Sequence, residues 1–178
     1  MVCRSTCPSP IGELTLASDG EMLTGLWLAG QKYFAQTLPE DAADCGAAPV
    51  LDAARDWLAR YFAGARPAAD ELPLRPAGTP FQQTVWRLLL DIPYGETESY
   101  GALSRRVAAA LGRTAMSARA IGAAVGRNPI SIIIPCHRVV GANGSLTGYA
   151  GGLAAKRFLL AHEGAPLPPL RDAGAPNR

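Results

Sequence analysis

Residues 128–141 read Asn-Pro-Ile-Ser-Ile-Ile-Ile-Pro-Cys-His-Arg-Val-Val-Gly. Ile132, Ile133 and Ile134 are consecutive, β-branched and bracketed by Pro129 and Pro135. Such a run predicts a short, buried strand. Pro135 has no N–H to give to a ladder, so pairing should stop there. The chain should then turn, carrying Cys136 and His137 out of the core to face a cavity. That placement suits a nucleophile. Thiols attack as thiolates, and a free cysteine is only slightly ionised at neutral pH. A neighbouring base or cation must therefore help, and His137 and Arg138 are adjacent. Cys136-His137 alone does not establish catalysis. A single cysteine is more often a small buried apolar residue, and neighbours on an extended chain point apart.

The chain has 178 residues, 48% of them hydrophobic, enough for one large or two small domains. No apolar run approaches the ~20 residues of a membrane span. The N-terminus lacks the apolar stretch of a signal peptide. The expectation is a soluble, cytoplasmic protein with reduced thiols and no membrane partner. Of four cysteines, Cys3 and Cys7 are close in sequence and Cys45 is isolated, and the only histidines are His137 and His162. No second cysteine pair completes a zinc site, so no metal is expected. Net charge is +2, unevenly spread: residues 1–78 carry 6 Lys/Arg against 10 Asp/Glu, and residues 79–164 carry 9 against 4. The basic half is the half with Cys136, which hints at a polyanionic partner.

Residues 11–18 and 22–28 alternate around Asp19-Gly20 and predict a β-hairpin. Residues 30–48 read as an irregular connection. From Pro49, the residues Leu51, Ala54, Trp57, Leu58, Tyr61 and Phe62 share one helical face, with Gly64 at its end. Residues 65–80 are proline-rich and mark a domain boundary. Thr79 is placed to cap a helix that starts at Pro80 and buries Phe81, Val85, Leu88 and Leu89. Ser99 and Ser117 are placed to cap two further helices, through Val107 towards Gly112 and through Val125 to Gly126. Two short helices around a turn read as helix-turn-helix or as an ordinary helical hairpin, and Arg113, Arg119 and Arg127 tilt the balance towards DNA. Five glycines in 141–152 suit a pocket wall that another group approaches closely. A final helix is expected over 156–162, with Leu153, Phe158, Leu159 and Leu160 inward. The tail 166–178 is expected to be disordered.

These pieces occur in one order: Pro-Tyr-Gly-Glu-Thr at 93–97, Ser-Tyr at 99–100, Arg119, Asn-Pro at 128–129, Pro-Cys-His-Arg at 135–138, Tyr-Ala-Gly-Gly at 149–152 and His-Glu-Gly at 162–164. Together they resemble the O6-alkylguanine-DNA alkyltransferases, also called methylated-DNA–protein-cysteine methyltransferases. The resemblance covers residues 79–164 strongly and 9–30 weakly. It implies a mixed α/β (α+β) fold. A small ribonuclease-H-like domain with linker would occupy 1–75. A mainly helical, winged-helix-like domain with helix-turn-helix would occupy 76–165.

The resemblance also implies an activity: single-turnover transfer of an alkyl group from O6-alkylguanine in double-stranded DNA to Cys136, with O4-alkylthymine as a further substrate left open. A duplex base cannot be attacked in line by sulfur, so it must be flipped out. By resemblance, Arg119 fills the vacated stack and Tyr100 crowds the target phosphate; Arg127, from its place beside the helix pair, is counted with them as DNA-binding. Cys136 would be ionised through a water shared with His137, which Glu163 orients, and Asn128 would hold the turn before the active-site strand. Carbonyls of Cys136 and Val139 would accept from the guanine amino group, and the Tyr149-Ala150 backbone would face O6. Ser131 stands where some relatives have proline, which bears on pocket width. No cofactor is needed. The thioether product is beyond thiol exchange, so each molecule acts once. A monomer is expected, with side-by-side binding on DNA left open. The alternative is a module that recognises alkylated DNA without transferring anything; such relatives lack the cysteine, and Cys136 is present.

Overall fold

A computed structural model describes residues 2–45 and 48–168. Residues 169–178, most of the expected disordered tail, lie outside the described residues.

The N-terminal part is a four-stranded sheet with one helix packed on it. The strands are β1 (Cys3–Cys7), β2 (Leu14–Ser18), β3 (Leu23–Leu28) and β4 (Ala43–Asp44), in the order β3-β2-β1-β4. β2 and β3 form the expected antiparallel hairpin, with Leu16 opposite Leu26. Its turn needs a positive φ, which Gly20 supplies at 109°. The Asp19 carboxylate holds the turn by accepting from the N–H groups of Glu21 and Met22. Helix α1 (Pro49–Phe62) buries Leu51, Ala54, Trp57, Leu58 and Tyr61. β1 and β4 were not anticipated. β1 is half-exposed along its length, so its sequence lacks a buried face strong enough to read.

The thiols correct another expectation. Cys3 and Cys45 are joined in a disulfide, with Cα atoms 5.4 Å apart. The parallel pairing of β1 with β4 brings these distant positions together.

The C-terminal part is a helical cluster with a two-stranded ribbon. Its elements are α2 (Pro80–Leu89), β5 (Glu98–Ser99), α3 (Tyr100–Ala110), α4 (Ala118–Gly126), β6 (Val139–Val140) and α5 (Leu153–His162). Thr79 and Gln82 cap α2 reciprocally, and the Ser99 and Ser117 hydroxyls accept from the first turns of α3 and α4. Trp86, rather than Leu88, joins Val85 and Leu89 inside, because its indole N–H reaches the Ala124 carbonyl at 2.8 Å and ties α2 to α4. In α5, Leu159 and Leu160 are buried as expected, but Leu153 and Phe158 are 49% and 38% exposed. The inward position is taken by Lys156.

Residues 132–134 are not a strand. They are buried, as read, but no neighbouring strand lies beside them. Among the described residues, only Ile130 of this stretch bridges to a strand, at Leu26 of β3. Beyond it the backbone closes on itself in tight turns: the Ile133 N–H donates to the Ser131 carbonyl (2.8 Å) and the Cys136 N–H to the Ile134 carbonyl (2.8 Å). Ile132 sits at φ 69°, where a β-branched residue is an outlier. Strain of this kind persists only where the surroundings over-determine it. Nor are Cys136 and His137 carried out of the core; they are 4% and 0% exposed.

Candidate active site

The Asn128 side chain does the work a strand partner would have done. Its Nδ2 donates to the carbonyls of Ile130 (3.3 Å) and Ile134 (2.8 Å), and its Oδ1 accepts from the Ile130 N–H (3.0 Å). The same Nδ2 lies 3.2 Å from the Cys136 sulfur. One buried amide thus fixes both the coil and the thiol.

Cys136 begins a short 3-10 turn, Cys136–Arg138, that points its three side chains differently. The Cys136 sulfur opens on a cavity of about 440 Å³. The His137 Nε2 meets Glu163 Oε1 at 2.7 Å. The Arg138 guanidinium grips the same carboxylate through Nε (2.9 Å) and Nη2 (3.1 Å). Glu163 also accepts from the Tyr61 hydroxyl (2.7 Å) and the Gly95 N–H (3.2 Å). Gly95 is required there: at φ 79°, a Cβ would lie 2.9 Å from the Glu163 carbonyl oxygen. The ion is therefore fully enclosed by donors, as a buried carboxylate must be.

Electrostatics follow from that enclosure. Burial opposes the charge on Glu163, but His137 and Arg138 outweigh it and hold the carboxyl well below its usual range. Burial pushes the His137 pKa down, so the imidazole is neutral. It donates from Nε2 to Glu163, which leaves Nδ1 as an acceptor. That Nδ1 is buried and has no hydrogen-bond partner among the described residues. Burial pushes the Cys136 thiol up, opposed by the Asn128 hydrogen bond and the charge of Lys156. The thiol at rest is protonated.

Lys156 is fully buried, and its Nζ donates to the carbonyls of Val139 (2.5 Å), Thr147 (3.2 Å) and Gly148 (3.2 Å). It clamps the glycine-rich segment after Cys136 into one shape. Burial lowers its pKa to about 8, against the opposing pull of Cys136.

The cavity is bordered by Tyr100, Arg119, Tyr149 and Ala150, together with Lys32 and Tyr33 from the N-terminal part. Burial raises the Tyr100 hydroxyl to about 12, with Cys136 adding to the rise. Arg119, in the first turn of α4, is exposed. Arg127 is engaged elsewhere. Its guanidinium lies 4.4 Å from the centre of the Tyr33 ring and donates to Gln36 Oε1 at 3.2 Å. Val139 does not line the cavity. Ser131 is also set back, its hydroxyl 3.3 Å from Gln31 Oε1.

Residues 80–165 match the family "6-O-methylguanine DNA methyltransferase, DNA binding domain", and residues 2–76 match "6-O-methylguanine DNA methyltransferase, ribonuclease-like domain". The chain is 48% identical to a methylated-DNA–protein-cysteine methyltransferase of Mycobacterium tuberculosis, over 90% of this chain and 91% of that one. It belongs to the 6-O-methylguanine DNA methyltransferase family.

A member from Haemophilus influenzae is 43% identical, over 89% of this chain and 84% of its own. A crystal structure of Mycobacterium tuberculosis OGT in complex with DNA superposes with a TM-score of 0.77 at 45% identity, covering 92% of this chain and 95% of that one. The chain thus has the methyltransferase family's mixed α/β fold, a sheet domain followed by a helical one.

The structure brings Asn128, Cys136, His137 and Glu163 into one cluster, and sets Tyr100, Arg119, Tyr149 and Ala150 around one cavity. Sequence reasoning missed Tyr61, Gly95 and Lys156. Two left a trace. Tyr61 falls on the buried face of α1, where a phenol needs an acceptor. Lys156 falls three and four residues before Leu159 and Leu160, on a face otherwise apolar.

Proposed function

We propose that this protein repairs alkylated DNA by moving an alkyl group from O6 of guanine to the sulfur of Cys136, once per molecule. The observation that carries this reading is the Cys136 thiol at the cavity floor beside a neutral histidine whose Nε2 is committed to Glu163. The thiol proton passes through a shared water to His137 Nδ1, and the resulting imidazolium is balanced by Glu163. The thiolate attacks the alkyl carbon in line. The S–C bond forms as the C–O6 bond breaks, and the electron pair leaves with guanine. Tyr100, kept protonated by its raised pKa, donates to the departing base. The Tyr149-Ala150 backbone faces O6, and the carbonyl of Cys136 accepts from the guanine amino group; the Val139 carbonyl, set back from the cavity, holds Lys156 instead.

The partner is double-stranded DNA, read through the α3–α4 pair. Arg119 fills the place of the flipped base, a step that costs a few kcal/mol of stacking. Arg127 serves the DNA face indirectly, by fixing the segment around Tyr33. We assign residues 1–75 to the ribonuclease-like domain with its linker and 76–165 to the alkyl-acceptor domain, and take the protein to act as a monomer in the cytoplasm. Among the described residues, no helix is long and apolar enough to cross a membrane.

The reading is tested by incubating excess protein with a duplex holding one O6-methylguanine, then digesting the DNA to nucleosides. Conversion of the adduct to guanine, in proportion to protein added, is the expected result. An adduct bound but left intact would favour the recognition module.

A further inference from the structure

The groups that make and break bonds above all lie in the C-terminal part, yet two residues of the N-terminal part line its cavity. Lys32 and Tyr33 border the space onto which Cys136 opens. The segment that carries them is built with care. Tyr33 lies at φ 61° and Ala35 at φ 51°, conformations that side-chain-bearing residues seldom adopt. Successive turns hold them, with the Phe34 N–H on the Gln31 carbonyl (3.2 Å), Gln36 on Tyr33 (3.2 Å) and Leu38 on Ala35 (2.9 Å).

The start of the turn is anchored to the site. The buried Gln31 side chain accepts from the Leu28 N–H (2.7 Å) and lies 3.3 Å from the Ser131 hydroxyl, one residue before the strained Ile132. The Lys32 N–H donates to the Ala150 carbonyl at 2.9 Å. The Tyr33 ring is then fixed by two cations, Arg127 at 4.4 Å and Lys32 at 5.0 Å from its centre. Arg127 directly follows α4, so the ring is referenced to the helix that carries Arg119.

We infer that Tyr33 is a specificity-determining residue: its ring is the far wall of the alkyl pocket and limits the size of the group that reaches Cys136. This inference rests on the alkyl-transfer reading. If the Tyr149-Ala150 backbone faces O6, a group growing outward from O6 extends towards the segment stitched to Ala150, which is Lys32–Tyr33. A ring held on a left-handed turn and gripped by Arg127 yields little, so bulk is rejected rather than accommodated. The N-terminal part would thereby set the substrate range of the C-terminal part.

The test compares transfer rates from two duplexes of one sequence, carrying O6-methylguanine or O6-benzylguanine, in the native protein and in Tyr33→Ala and Tyr33→Trp. The benzyl-to-methyl ratio is taken within each preparation, so misfolded protein and altered DNA affinity cancel. Tyr33→Ala should raise the ratio about fivefold, and Tyr33→Trp should lower it at least twofold. A ratio within twofold of native in both variants, or a shift in the same direction in both, overturns the inference. Transfer of neither group by the native protein would instead overturn the alkyl-transfer reading beneath it.

Discussion

His137 Nε2 and Glu163 Oε1 lie 2.7 Å apart with both side chains shut off from solvent. That contact decides which nitrogen of the imidazole carries the proton, and so which one is free to serve Cys136. The same carboxylate neutralises Arg138 and receives Tyr61, so the base and its scaffold share one counter-ion. Glu163→Gln keeps the shape but sets an amide N–H₂ against donors and leaves Arg138 without its charge partner. Single-turnover transfer should fall about 100-fold or more, and stability should fall by about 3 kcal/mol. Rapid-quench kinetics and urea unfolding read the two effects separately.

Acid should destabilise the fold in two stages. The His137 pKa is depressed below 6.5 in the folded protein, chiefly by burial. The unfolded chain therefore takes up the proton first as pH falls through about 6.5, and stability drops from that point. Glu163, whose pKa burial would raise but His137 and Arg138 hold below the ordinary carboxylate range, adds a second loss once the unfolded carboxyl starts to protonate, below about pH 4.5. Urea midpoints measured from pH 8 to pH 2.5 should decline in this order. His137→Phe should flatten the first stage and spare much of the second.

Lys156 both holds the pocket wall and tunes the thiol. Lys156→Met keeps most of the apolar stem but strips three carbonyls of their donor, at a cost of about 2–3 kcal/mol. It also removes a positive charge that opposes the upward push of burial on Cys136. The thiol pKa should rise further. The pH profile of iodoacetamide modification at Cys136 should shift to higher pH, a change that looser packing alone would not produce.

Arg119 is exposed on the first turn of α4 and borders the cavity mouth. Arg119→Ala should leave the thermal midpoint where it is. It should slow transfer from duplex DNA at least tenfold more than transfer from a single-stranded oligonucleotide carrying O6-methylguanine, because only the duplex requires a paired base to be flipped. Paired rate measurements on the two substrates check this.

Much of this was legible because local chemistry and burial agreed. Thr79, Ser99 and Ser117 each announced a helix start, and Asp19-Gly20 announced the hairpin. Gly64 and Gly164 closed their helices at φ 89° and 71°. The isoleucine run misled because β-branched burial reads alike whether a ladder or a side chain satisfies the backbone, and here Asn128 replaced the ladder. The Cys3–Cys45 pairing was hidden because it depends on β4, two residues long and patternless. At the site, the motif residues were readable, whereas Tyr61 and Lys156 act across more than one element. Tyr61 reaches Glu163 across 102 residues of chain, a link that no local pattern carries. The packing of Arg127 on Tyr33 and Gln36 was not legible, because those partners lie in a segment without periodicity.

The most direct test of the account is the intact mass of the protein after mixing with duplex DNA that carries one O6-methylguanine, followed by peptide mapping. The account predicts a gain of one methyl group on the peptide holding Cys136, saturating at one per molecule and absent in Cys136→Ala. No gain in mass despite tight binding, or a methyl group on any other residue, would contradict it.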